Sequence, residues 1–339
     1  DGVSAAKAYK SISALSGKSC ALLNAKDEVI LYKDALSKDA LYKRLTALHL
    51  MQTGAQIVIA DVESIMQLFP VKLDSICFEA GREYDYSGLP QKLVQMGYTR
   101  EYSVDSKGSF AVRGDILDLF PINCDNPVRI DFFGDTVEKI RPYDSSSGER
   151  LEEVNSISVV AATDVKFNLE DVRAVKTEIS SCLKNSPSEA LRRARAIADE
   201  IFMKLDAGAP FAGSSFVMPL LSCACTVFDL LDKDTLIIFD ECKLINDAMN
   251  GIYKEHTQRV QELKKAGEAF SFSLGQMVNP ETLTSGFKKF RCLALQTFTT
   301  STQFFLPLKT YNFISSPAPS YLNAMSQLIT DLKSWLANG

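Results

Sequence analysis

The run GSFAVRGDILDLFPINCDNPVRIDFFGDTVEKIRPYD, residues Gly108 to Asp144, decides how this chain folds. Side chains of an extended strand alternate between faces, so Val128, Ile130 and Phe132 share one face while Arg129, Asp131 and Phe133 share the other. The first face is an ordinary apolar core face. The second carries a charge pair and an aromatic ring that a core does not need. Gly134-Asp135 supplies a two-residue turn, and Thr136 to Arg141 returns as the hairpin partner. Upstream, Phe110 and Val112 alternate with Ala111 and Arg113; Gly114 interrupts the pattern where a bulge fits, and Ile116 to Phe120 resumes it until Pro121. The expected product is a twisted, β-rich module with one polar face bearing Arg113, Arg129 and Phe133.

The residues around this module set its frame. Gln56 to Ala60 is an apolar run of parallel-strand type, and Asp61 can cap a helix over Val62 to Leu68. Asp39 to Leu48 places Leu41, Leu45 and Leu48 on one side of a helix, and Val29 to Tyr32 reads as a strand. Pro70 marks an exit from this α/β stretch, a strand follows over Val71 to Phe78, and Ser87 to Met96 reads as a helix stopped by Gly97. Beyond the module, Asp171 to Asp206 is mostly helical, with Leu191, Ala194, Ile197, Ala198, Ile201 and Leu205 as its buried stripe. Thr235 to Phe239 and Cys292 to Leu295 are short buried strands, and Lys243 to Ala269 is a charged helix. Tyr311 to Phe313 reads as a further strand, and Tyr321 to Leu336 as a closing amphipathic helix.

With 339 residues the chain exceeds one ordinary core, so two or three domains are expected. A net charge of −5 argues against tight nonspecific binding to a phosphate backbone, and Arg192-Arg193-Ala194-Arg195 reads as the solvated face of a helix. Eight cysteines lie among apolar neighbours without a CxxC pair, and the chain has only two histidines. That pattern offers no zinc site and is expected of reduced thiols in a cytoplasmic protein. No apolar run is long enough to span a bilayer, so no membrane partner is expected.

Two segments invite a nucleotide-binding interpretation. Ser16-Gly17-Lys18-Ser19 looks like part of a phosphate loop, but Ile12 stands where the motif needs its first Gly, and the order is helix, loop, strand. Asp240-Glu241 follows the apolar run Leu236 to Phe239 as a Walker-B box would, where the carboxylates would serve Mg²⁺ and the attacking water. Without a phosphate loop they have no substrate, and acidic residues are favoured at a helix start in any case. The pair is expected to be vestigial, with no catalytic residues, no cofactor and no metal.

The ordered run Gly108-x-Phe110-x-Val112-Arg113-Gly114-Asp115-Ile116-Leu117-Asp118-Leu119-Phe120-Pro121, followed by Arg129-x-Asp131-Phe132-Phe133-Gly134-Asp135, resembles the module shared by the excision-repair protein UvrB and the bacterial transcription-repair coupling factors. Tyr32, Asp34, Asp39, Arg44 and Leu45 also match the first, helicase-like part of that family, although the spacing between Leu23 and Tyr32 is short. The absent phosphate loop favours the coupling factor; Gly148-Glu149, in place of its usual Gln-Arg pair, is closer to UvrB.

The resemblance implies an α/β fold of degenerate helicase-like, P-loop-NTPase-like parallel-sheet domains with an inserted α+β, β-rich domain. Its expected divisions are 1–69 for the first part, 70–150 for the inserted UvrA-interaction domain and 151–339 for the remainder with a helical insert. It further implies a non-catalytic module that recruits UvrA to stalled transcription, with Arg113, Arg129 and Phe133 at the docking positions. RNA polymerase and DNA would be engaged only through the rest of such a protein, where its ATP-driven translocase resides. The alternative is a DNA-dependent ATPase of UvrB type. From the residues alone, Arg129 could instead pair with Asp131 or Glu138 and Phe133 could fill a local core. Because Arg129 and Phe133 avoid the core face, truncating either is expected to leave stability nearly intact.

Overall fold

A computed structural model describes residues 1–26, 38–184, 188–208, 210–211, 213–298, 302–313, 321–322 and 324–338. Tyr32, Asp34 and the strand read over Val29 to Tyr32 lie outside them. The chain divides into two units, Asp1–Phe305 and Leu306–Gly339.

The first unit opens with helix α1 (Gly2–Ser16), strand β1 (Cys20–Leu23), helix α2 (Asp39–Thr53), strand β2 (Ile57–Ala60) and the short helix α3 (Val62–Met66). Asp61 caps α3 as expected, its carboxylate accepting the Ser64 amide at 2.7 Å. Strands β3 (Phe69–Pro70) and β4 (Ser75–Glu79), helix α4 (Leu89–Gln95) and strand β5 (Thr99–Arg100) lead into the quoted stretch. There β6 (Ser109–Arg113), β7 (Ile116–Leu119), β8 (Val128–Phe133) and β9 (Thr136–Pro142) continue the sheet in the order β5-β6-β7-β8-β9, antiparallel except for β5 on β6. Strand β10 (Ser156–Val160) then returns antiparallel to β4, so the chain enters and leaves this region on neighbouring strands.

Two details differ from expectation. Arg113 pairs directly with Ile116, so Gly114-Asp115 is a two-residue hairpin turn and not a bulge. It repeats Gly134-Asp135, where Phe133 pairs with Thr136; in both turns glycine takes positive φ, +57° and +61°. The bulge lies in β9 instead. The register passes from Asp131–Lys139 to Phe132–Val137, leaving Glu138 as the extra residue. Because the insertion is in the partner strand, the alternation of β8 continues unbroken.

Helices α5 (Leu169–Lys184) and α6 (Ser188–Asp206), strands β11 (Ala224–Cys225) and β12 (Leu236–Asp240), helices α7 (Cys242–Lys265) and α8 (Pro280–Phe287) and strand β13 (Arg291–Leu295) complete the unit. Ala194, Ala198, Ile201 and Leu205 are buried as the stripe predicts. Apart from the short β5–β6 pairing, parallel pairing among the described residues is confined to two separate two-stranded sheets, β1 with β2 and β12 with β13. Alternate residues of β12 and β13 stay exposed, Leu236, Ile238, Leu293 and Leu295 among them, so the wide parallel sheet expected from the sequence is not assembled among the described residues. The fold is mixed α/β with small sheets. In the second unit, helix α9 (Met325–Asn338) starts later than expected, and residues 311–313 form no strand.

The apolar face of the five-stranded sheet (Phe110, Leu117, Leu119, Val128, Ile130, Phe132, Val137 and Ile140) shares one continuous core with Leu23, Leu45, Leu48, Phe69, Phe78 and Leu93. A buried polar centre adjoins it. Arg44 of α2 is 3% exposed, donates from Nη1 to the carbonyls of Asn24 and Ser64 at 3.0 Å each, and stacks 4.0 Å over the Phe69 ring. Burial pushes its guanidinium down to about 10. Nearby, Lys26 pairs with Asp164, whose other oxygen accepts from the Ser215 hydroxyl at 2.6 Å. Burial alone would raise the Asp164 carboxyl, but Lys26, Ser215 and Arg44 together hold it below the usual carboxylate value.

In the unfolded chain Asp164 takes up its proton at about pH 3.9, the ordinary value for an aspartate, while the folded chain keeps it ionised to lower pH. Its contribution to stability is therefore complete above that range and is lost as pH falls below it. Urea unfolding from pH 6 to pH 3 should show a falling midpoint. Asp164→Asn should lower the midpoint at pH 6 and make the further fall smaller.

Candidate functional site

The site is built by register. Ala111, Asp118, Arg129 and Arg141 form one cross-strand row, and Arg113, Ile116, Asp131 and Lys139 form the next. All lie on the face opposite the core. Strand β8 reads buried, half-buried, buried, half-buried, buried, exposed from Val128 to Phe133. Of the two adjacent phenylalanines, Phe132 is 4% exposed and packs its ring 4.6 Å from Tyr86, whereas Phe133 is 76% exposed.

Arg129 pairs with neither Asp131 nor Glu138. Its Nε donates to Oδ1 of Asp118 at 2.7 Å and its Nη2 to Oδ2 at 2.8 Å, a two-bonded clamp on a carboxylate that is almost wholly buried. Donating to the Asp118 carboxylate holds the Arg129 guanidinium above its ordinary value. The Arg129 head also lies 5.9 Å from the Tyr143 ring. Asp131 pairs with Arg141. Arg113 donates to the Tyr102 carbonyl and stands 5.1 Å over the Tyr102 ring, itself an exposed aromatic. Arg113, Asp118, Arg129, Arg141 and Tyr143 contribute to an open groove of ≈ 290 Å³. Arg113 and Arg129 thus share this groove, and Phe133 stands at the turn end of the same face.

The sequence did not single out Asp118, Tyr102 or Tyr143. For Asp118 a signal was present: an acid between Leu117 and Leu119 in a strand with an apolar inner face must lie on the outer face, opposite Arg129. Tyr102 and Tyr143 sit in segments without periodicity.

The nucleotide-like segments are placed elsewhere. Lys18 is exposed in the turn between α1 and β1, its amide donating to the Ser16 hydroxyl at 3.3 Å. Asp240 ends β12 on the surface. Glu241 precedes α7 with φ +62°, the one non-glycine with positive φ among the described residues. Its carboxylate accepts the Thr297 amide at 2.8 Å and the Thr297 hydroxyl at 2.5 Å, which hold it below its ordinary value. Among the described residues no group of His, Cys, Asp or Glu is arranged to hold a metal, and no helix is long and apolar enough to cross a membrane.

Arg129 shields a buried carboxylate, so the expectation that Arg129→Ala leaves stability intact is corrected. Arg129→Ala strands Asp118 and should cost about 1–3 kcal/mol. Phe133→Ala should stay within about 0.5 kcal/mol of the parent, and Phe132→Ala should cost about 3 kcal/mol or more. Urea unfolding of the three variants checks this order.

Residues 76–165 match the UvrB interaction domain family. The transcription-repair-coupling factor of Bacillus subtilis is 25% identical over 252 residues, which is 70% of this chain and 21% of that protein. That of Myxococcus xanthus is 35% identical over 147 residues, 41% of this chain and 12% of the relative. UvrABC system protein B of Lactobacillus acidophilus is 33% identical over 158 residues, 45% and 23% of the two chains. The chain therefore spans less than a quarter of the length of these relatives. The family resemblance carried by Gly108 to Asp135 is borne out.

Proposed function

Starting from a chain that carries the UvrB-homology region of the transcription-repair-coupling factors, with its UvrB interaction domain at residues 76–165, we propose that it is a docking module that recruits UvrA to stalled transcription. The observation that carries this is that an outward Phe133, 76% exposed, and Arg129 lie along one strand on the face that the core leaves free. An exposed ring supplies rigid contact area, and an arginine supplies a planar fork of donors; aromatic residues and arginine are enriched at protein interfaces. Arg113 lines the same groove as Arg129.

In this proposal the module itself performs no catalysis. Residues 1–69 and 151–339 are the two parts of a degenerate helicase-like domain, and 70–150 is the inserted domain that meets UvrA. Lys18 lacks the glycine frame of a phosphate loop, and the Glu241 carboxylate is already engaged by Thr297. DNA translocation and contact with RNA polymerase are assigned to other parts of a whole coupling factor, which acts in the cytoplasm.

Titration of the chain against immobilised UvrA should show saturable binding. Phe133→Ala should weaken it about 30-fold or more, the equivalent of ~2 kcal/mol for a dominant interface residue. ATP should not raise the melting temperature. Unchanged binding by Phe133→Ala contradicts the docking surface. ATP turnover abolished by Asp240→Ala or Glu241→Ala contradicts the non-catalytic role and favours a UvrB-type ATPase.

A further inference from the structure

Asp118 is an unusual residue to find nearly buried in a small sheet, and all of its charge is spent on one side chain. Both of its oxygens are taken by Arg129, at 2.7 and 2.8 Å. The clamp uses the Nε–Nη2 side of the guanidinium. The other end, with two protons on Nη1 and one more on Nη2, has no hydrogen-bond partner among the described residues, and the side chain is 37% exposed. A carboxylate approaching the groove can therefore be received by a second parallel pair of N–H donors without displacing Asp118. The Tyr143 ring, 5.9 Å away, gives the head a further neighbour. Around it Arg141 is neutralised by Asp131, whereas Arg113 keeps its head in the same groove.

An ion pair of this kind is a poor device for stability alone, because apolar residues of similar volume stabilise a buried slot at least as well. What the clamp supplies is orientation. A long side chain that is already fixed loses less freedom when a partner arrives, which is the basis of preorganised recognition. We propose that Asp118 is a positioning residue for docking: it holds Arg129 so that the open edge of the guanidinium meets a carboxylate of UvrA, beside the contact made by Phe133. This rests on the UvrA-docking function proposed above. Asp118 itself touches no partner in this scheme and acts only through Arg129.

The test titrates UvrA with five forms of the full 339-residue chain: the parent, Asp118→Asn, Arg129→Gln, Asp118→Asn with Arg129→Gln, and Arg129→Lys. The parent should bind. Asp118→Asn should bind about tenfold more weakly, Arg129→Gln at least as weakly, and the double variant no more weakly than Arg129→Gln. Arg129→Lys keeps the charge but not the fork, and should lose as much affinity as Arg129→Gln. It also keeps the proposal testable if Asp118→Asn does not fold. In NMR spectra the Arg129 Nε–H signal should be sharp and slow to exchange in the parent and lost in Asp118→Asn, which a general loss of stability does not predict. No binding by the parent overturns the docking function and this proposal with it. A binding parent combined with a folded Asp118→Asn of unchanged affinity, with losses that multiply in the double variant, or with Arg129→Lys at parental affinity, overturns the positioning role alone.

Discussion

The organisation of this chain depends on the two-residue period of β8 and on the fact that nothing along the strand breaks it. The apolar positions Val128, Ile130 and Phe132 are tied into a core that reaches back to α2 and β1, so the strand cannot slip by one residue without turning that core outward. The bulge at Glu138 adjusts the twist of the hairpin but falls in β9, sparing the period where it matters. With one face committed, Arg129, Asp131 and Phe133 have no choice of side. The outer face is the necessary remainder of the inner one.

Two buried polar arrangements complement this apolar constraint, and they act at different places. Around Arg44, guanidinium donors satisfy carbonyls from the segment after β1, from α3 and from the turn into β3, while Lys26, Asp164 and Ser215 join distant parts of the sequence. Such a centre makes the meeting of these segments specific, because each unpaired donor or charge left in the interior is costly. On the sheet, Asp118 and Arg129 perform the same kind of pairing at the boundary with water. One partner is buried and the other half-exposed, so the pair can both fix a side chain and display it.

The sequence was most legible where one rule acted alone. Alternation placed Phe132 inside and Phe133 outside, and an acid ahead of an apolar run identified the Asp61 cap. It was less legible where two local explanations competed. Gly114 fits a bulge or a turn equally well, and the choice was made by the pairing of Arg113 with Ile116, a contact between strands. Nearness in sequence offers Arg129 the acids Asp131 and Glu138 of its own hairpin, whereas the structure takes its partner from β7, where register matters more. Tyr311 to Phe313 has strand-forming residues but no strand to pair with among the described residues, so propensity alone did not suffice. Likewise the apolar runs at β1, β2, β12 and β13 do pair in parallel, but as two separate sheets. Run composition specifies a strand, not which strands assemble around it.

Docking on the outer face of the β7–β8–β9 sheet is tested most directly by amide hydrogen exchange of the chain with and without UvrA. Docking there should slow exchange chiefly in residues 113–118 and 128–142 and leave residues 236–241 and 291–297 unchanged. Unchanged exchange in the β8–β9 hairpin, together with protection confined to β12 and β13, would contradict it.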